Sequence, residues 1–167
     1  DVLLKNCTNN GEIKVSPKSG DDSTNGMLLC GVGGIVGYLR NSKSITLDNC
    51  DNTKPITLSA ENISSETGLK AGATAVGGII GIGTNASGGL SLTRKKITLL
   101  NCDNSATIYN CAVNASAGEE SDNKVYTGGL AGALVGLADS YAAVTSCTNT
   151  GDVFTYGTYF QTMIPKE

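Results

Sequence analysis

The chain has 167 residues, with 15 acidic against 12 basic side chains, a net charge of -3, and neither histidine nor tryptophan. That length suits one domain with its own core, and the weakly acidic balance excludes nucleic acid and anionic membrane surfaces as electrostatic partners. With 22 glycines, 3 prolines and 40% hydrophobic residues, but no period-three glycine, collagen and a disordered tail are excluded, while the missing histidine removes the commonest general base and metal ligand.

The first element in chain order is Val2-Leu3-Leu4-Lys5-Asn6-Cys7-Thr8-Asn9, an apolar-alternating strand that ends at a cysteine, followed by a turn and Ile13. Its opening residues lack the basic-then-apolar layout of a signal peptide, and no apolar run in the chain approaches the ~18 to 20 residues that span a bilayer. A soluble chain is expected, with any targeting segment removed or lying outside it. A polar stretch from Ser16 to Gly26 follows, and then the glycine block Val32-Gly33-Gly34-Ile35-Val36-Gly37, which reads as one glycine-rich strand. After it the first pattern returns as Ile45-Thr46-Leu47-Asp48-Asn49-Cys50-Asp51-Asn52, with Ile56 in the place of Ile13.

The same order then repeats twice. The glycine block Val76-Gly77-Gly78-Ile79-Ile80-Gly81 precedes Ile97-Thr98-Leu99-Leu100-Asn101-Cys102-Asp103-Asn104 and Ile108; Thr127-Gly128-Gly129-Leu130-Ala131-Gly132 precedes Ala142-Ala143-Val144-Thr145-Ser146-Cys147-Thr148-Asn149 and Val153. The four cysteines are spaced by 43, 52 and 45 residues. A repeat of that period whose units cannot bury their apolar faces alone predicts stacking into a continuous core. The expected fold is therefore all-β: a right-handed, parallel, three-sided β-helix of about three and a half coils ~4.8 Å apart, with long loop insertions. One domain spans 1-167, in units 1-16 (partial), 27-58, 73-110 and 125-156, with 157-167 a tail or cap in which Phe160, Met163 and Ile164 cover the last coil.

Stacking predicts two structural ladders, one of Cys7, Cys50, Cys102 and Cys147, the other of Asn9, Asn52, Asn104 and Asn149. Each asparagine amide is expected to satisfy backbone groups at a bend and to bond the asparagine above. The cysteines are expected to be reduced and buried, because directly stacked residues suit the disulfide torsion poorly. Cys30 and Cys111 lie outside this register; a bond between them, or from Cys30 to the first coil, is the alternative. No Cys-x-x-Cys pair supports zinc.

At this point the residues resemble a known family. The blocks Gly34-Ile35-Val36-Gly37, Gly78-Ile79-Ile80-Gly81 and Gly129-Leu130-Ala131-Gly132, each followed by an Asn-Cys or Ser-Cys strand, are similar to the GLUG-type repeat of bacterial surface proteins. The resemblance implies a segment of a large secreted or cell-surface protein, often adhesin-like and sometimes carried beside a peptidase domain, and it brings no catalytic residues. The chain departs from the tighter family repeat through its long insertions, and it starts inside a unit. A fragment of a longer chain, or an end coil built from half a unit, is expected.

Catalysis and metal binding have few candidates. Asp51 and Asp103 share one register position, so they either bridge a cation or point into water, and water is favoured. Paired carboxylates on a solenoid face also perform acid-base work in polysaccharide-cleaving β-helix enzymes. Asp48, Asp51 and Asp103 would then be the acids, with Arg40 and Arg94 as charge stabilisers, yet the Asp48 position holds Lys5 and Leu100 in other units and no concentrated site results. Asp21-Asp22-Ser23-Thr24-Asn25-Gly26 imitates the front of a calcium loop, but Val32 stands where the closing glutamate belongs. Gly81-Ile82-Gly83-Thr84-Asn85-Ala86 matches a relaxed dinucleotide fingerprint without a helix to follow. The triplets at Asn62, Asn85 and Asn114 fit a glycosylation pattern that an Asn/Ser-rich chain generates freely.

The functional expectation is a non-enzymatic extracellular module at the cell surface, either a rigid spacer or an adhesion surface, with no cofactor, no nucleic acid and no membrane insertion in this segment. Its partner would be a host protein or a glycan, met by the loops or by tyrosines at Tyr38, Tyr126, Tyr156 and Tyr159. The alternative is a carbohydrate-binding module or a polysaccharide-active enzyme.

Overall fold

The computed structural model describes residues 1-16, 30-40, 44-63, 74-84, 96-114, 125-135 and 141-155. They form eighteen short strands and no helix. The first unit supplies β1 (Val2–Lys5), β2 (Thr8–Asn9) and β3 (Ile13–Val15). The next three supply five strands each: β4 (Cys30–Gly33), β5 (Val36–Arg40), β6 (Ser44–Asp48), β7 (Asp51–Asn52) and β8 (Ile56–Ile63); then β9 (Thr74–Gly77), β10 (Ile80–Thr84), β11 (Lys96–Leu100), β12 (Asp103–Asn104) and β13 (Ile108–Asn114); then β14 (Val125–Gly128), β15 (Ala131–Val135), β16 (Tyr141–Thr145), β17 (Thr148–Asn149) and β18 (Val153–Thr155).

Each strand pairs in parallel with its equivalent in the next unit, as a parallel β-solenoid requires. Sheet A is β1-β6-β11-β16, sheet B is β2-β7-β12-β17 and sheet C is β3-β8-β13-β18; sheets D (β4-β9-β14) and E (β5-β10-β15) have three strands each. The register matches residue to residue: Val2 to Ile45, Ile97 and Ala142; Leu4 to Leu47, Leu99 and Val144; Ile13 to Ile56, Ile108 and Val153. Among the described residues the register of sheet C shifts once, by a bulge where Ala112 pairs with Ala60 but Asn114 with Ile63.

The glycine block, read as one strand, is two strands folded face to face. Strands β4 and β5 are joined by a bend at Gly34 and Ile35, whose amides donate to Gly78 and Ile79 one unit on, at 3.0 and 3.1 Å. Where D and E close on one another the contact is lined by glycines, Gly33 and Gly77 of D against Gly81 and Gly132 of E. A methyl group added at Gly81 would lie 2.7 Å from the Gly31 carbonyl carbon of β4, and one at Gly77 would lie 2.5 Å from the Gly132 nitrogen of β15. Side chains ordinarily hold stacked sheets ~10 Å apart, so only glycine lets these two backbones approach so closely.

The opposite faces of this arch are apolar. Ile79 of the bend and Ile80 of sheet E pack against Ile45, Leu47, Ile97 and Leu99 of sheet A, while sheet D packs Val32 and Val76 against Ile56, Leu58 and Ile108 of sheet C. The layers therefore run A, E, D, C, and sheet B closes the side where A turns into C. Full burial of each large aliphatic chain contributes about 1.5 to 3 kcal/mol, and these two interfaces supply most of the core.

Candidate functional site

The most developed polar feature of the molecule is the seam where the arch tip meets sheet B. The turn from A into B needs one residue in the left-handed region, and Asn6, Asn49, Asn101 and Ser146 occupy it with φ of 55°, 55°, 51° and 52°. Asparagine tolerates that conformation better than most residues with a side chain. The next residue is a cysteine in every unit, and its thiol donates back to the carbonyl two residues earlier: Cys7 to Lys5 at 3.6 Å, Cys50 to Asp48 at 3.6 Å, Cys102 to Leu100 at 3.3 Å and Cys147 to Thr145 at 3.2 Å. A small apolar side chain with one weak donor suits that corner.

Two residues on, the asparagines point inward and bond along the axis. Asn9 Nδ2 donates to Asn52 Oδ1 at 2.7 Å, Asn52 to Asn104 at 2.7 Å, and Asn104 to Asn149 at 2.6 Å. Asn104 and Asn149 use the same nitrogen to donate to the carbonyls of Ala106 and Gly151, both at 2.8 Å, which fastens the turn from B into C. Asn52 and Asn104 are fully buried. Buried amides are tolerated because both ends are bonded. The arch tip rests on this column: a methyl at Gly34 would meet Asn52 Cγ at 2.8 Å, and one at Gly78 would meet Asn104 Cγ at 2.5 Å.

A second column runs beside the first, with Asn49 Nδ2 donating to Asn6 Oδ1 at 2.8 Å. The sequence reading did not single it out, although Asn precedes Cys in three of the four units and that coincidence was the available signal.

The cysteine column carries no disulfide. Cys7, Cys50, Cys102, Cys111 and Cys147 are free thiols, so the alternative pairing of Cys30 with Cys111 or Cys7 is absent. Burial pushes the Cys50 thiol up and that of Cys102 up to about 11, far from the depressed values of reactive cysteines.

The carboxylates do not assemble. Asp51 and Asp103 are register neighbours, but Asp103 Oδ1 accepts from Thr148 N at 3.1 Å and Thr148 Oγ1 at 2.6 Å, on the side of β12 away from Asp51. Asp48 pairs with Lys5 at 2.8 Å, and that ammonium holds its carboxyl below the usual range. Among the described residues no group of three or more Cys, Asp or Glu is placed to hold a metal ion.

Tyr38 and Tyr126 are 38% and 40% exposed. A further aromatic pair went unnoticed in the sequence: Tyr109 and Phe154 are register partners and stack with centroids 5.2 Å apart. The calcium-like stretch 21-26, Arg94, Tyr156, Tyr159, the proposed cap residues Phe160, Met163 and Ile164, and the side chains of Cys30, Arg40, Asn62 and Asn114 lie outside the described residues, as does Asn85. Among the described residues no helix is long and apolar enough to cross a membrane. No family model matches the chain, and neither a curated protein nor a solved structure does.

Proposed function

We propose that this chain is a non-catalytic, extracellular repeat module of a larger bacterial surface protein, serving as a rigid spacer that carries adhesive loops. The observation that carries the reading is the asparagine column from Asn9 through Asn52 and Asn104 to Asn149. It commits Asn52 and Asn104, buried in the middle of the stack, to holding the next unit in place, which is what stiffness along one axis requires and what a reaction centre does not. The carboxylates fit the same reading, since Asp48 and Asp103 are engaged by Lys5 and Thr148. The resemblance of the glycine blocks to GLUG-type repeats is the support for a cell-surface origin, with a host protein or glycan as partner.

The test is incubation of the chain, and of an Asp51→Asn/Asp103→Asn variant, with a panel of immobilised neutral and acidic polysaccharides, reading both retention and chain length. The expected result is equal retention by both proteins with every polysaccharide left at full length. Shortening of any polysaccharide by the parent chain, abolished in the variant, would overturn the proposal in favour of a carbohydrate-cleaving enzyme.

A further inference from the structure

The interface between sheets C and D changes character along the stack. Along sheet C the inward position reads Val15, Leu58, Asn110, Thr155, and along sheet D it reads Val32, Val76, Thr127. Early in the stack both sides are aliphatic, with Leu58 and Val76 fully buried. Then Asn110 of the third unit replaces the leucine on β13, and Thr127 of the fourth replaces the valine on β14, the D strand that packs against β13. The two polar replacements meet where the third and fourth units join.

Asn110 is fully buried, and its Nδ2 donates to the Tyr126 carbonyl at 3.0 Å. That bond holds the amide against the peptide unit that joins Tyr126 to Thr127. The rest of the pair is unsatisfied: Asn110 Oδ1 and Thr127 Oγ1 are both buried and neither has a hydrogen-bond partner, including each other. An orphaned amide oxygen and an orphaned hydroxyl in one interface carry a large desolvation cost, and native proteins avoid it by admitting water where two or more polar groups converge.

We infer that the join between the third and fourth units binds one buried water molecule, which donates to Asn110 Oδ1 and bonds Thr127 Oγ1 across the C-D interface. The equivalent pair one step earlier, Leu58 and Val76, offers no polar atom to such a site. It replaces an aliphatic contact between β13 and β14 with a bridged one, so the join between these strands depends on a solvent molecule where its neighbours depend on packing.

The experiment is water-selective NMR exchange spectroscopy on isotopically labelled full chain, comparing the parent with the double variant Asn110→Leu/Thr127→Val. The variant installs the residues found one register position earlier, Leu58 and Val76, and is expected to fold, with an unchanged pattern of strand amide signals. In the parent, long-lived cross-peaks to water are expected at the Asn110 side-chain amide and the Thr127 methyl, and both are expected to vanish in the variant. Absence of those peaks in the parent overturns the inference. So does a crystal structure with Thr127 Oγ1 bonded directly to Asn110 Oδ1 and no water between them.

Discussion

The second and last units use the same register, the same turn and the same ladder, yet they differ in burial. Leu47 and Ile56 are fully buried, whereas their equivalents Val144 and Val153 are 52% and 39% exposed. Asn52 is enclosed and Asn149 is exposed, although each accepts a hydrogen bond from the asparagine before it. In a solenoid, then, a position is buried by its neighbours on both sides and not by its own sequence. Stability is shared between adjacent units, and the same substitution should cost more in the middle of the stack than at its end.

The largest separation is expected from the arch tip. Gly78→Ala would drive a methyl into the buried Asn104 amide and the Gly129 carbonyl, neither of which can move, and we expect it to cost more than about 4 kcal/mol or to abolish folding of the unit. At Gly129→Ala the nearest atoms belong to the exposed Asn149 side chain, which can swing aside at the expense of its bonds to Asn104 and Gly151; chemical denaturation should rank it below Gly78→Ala. Next comes the core: Leu47→Ala should cost about 2 to 5 kcal/mol, and Val144→Ala, already half in solvent, should cost less than about 1 kcal/mol. Equal costs for this pair would show that something covers the last unit.

The ladder gives a smaller contrast. Asn104→Ala removes the partners of Asn52 and Asn149, leaves the Asn52 donor buried and alone, and should cost about 2 to 4 kcal/mol. Asn149→Ala should cost about 1 kcal/mol, because water reaches the site. The smallest effect is on pH. The Cys102 thiol rises from 9.0 to about 11 on folding, so the folded state holds that proton more tightly. Stability is therefore complete below pH 9 and falls as the pH rises toward 11. Cys102→Ala should flatten that slope, and at neutral pH a thiol reagent should label half-exposed Cys7 and Cys147 before buried Cys50 and Cys102.

The stacking of units was legible in the sequence because a cysteine with an asparagine two residues on marks one geometric position four times, and apolar alternation fixes which side faces inward. The arch was not. Alternation of glycine with aliphatic residues reads as a single strand, and nothing in Val32 to Gly37 announces that the glycine faces would close on one another. The Asn110 and Thr127 pair was hidden for a related reason: their facing relation exists only once the glycine block is folded in two. For the carboxylates, register alone brings Asp51 and Asp103 side by side, but the orientation of Asp103 toward Thr148 is set by a hydrogen bond that the sequence does not announce.

The most direct measurement of the central claim is hydrogen exchange at the asparagine side chains, followed by NMR. If Asn52 and Asn104 form the enclosed column that joins successive units, their amide protons should exchange orders of magnitude more slowly than those of exposed Asn10, and should show contacts to residues 43 and 52 positions away. Exchange at the rate of Asn10, or contacts showing that the strands of Cys50 and Cys102 run in opposite directions, would contradict the account.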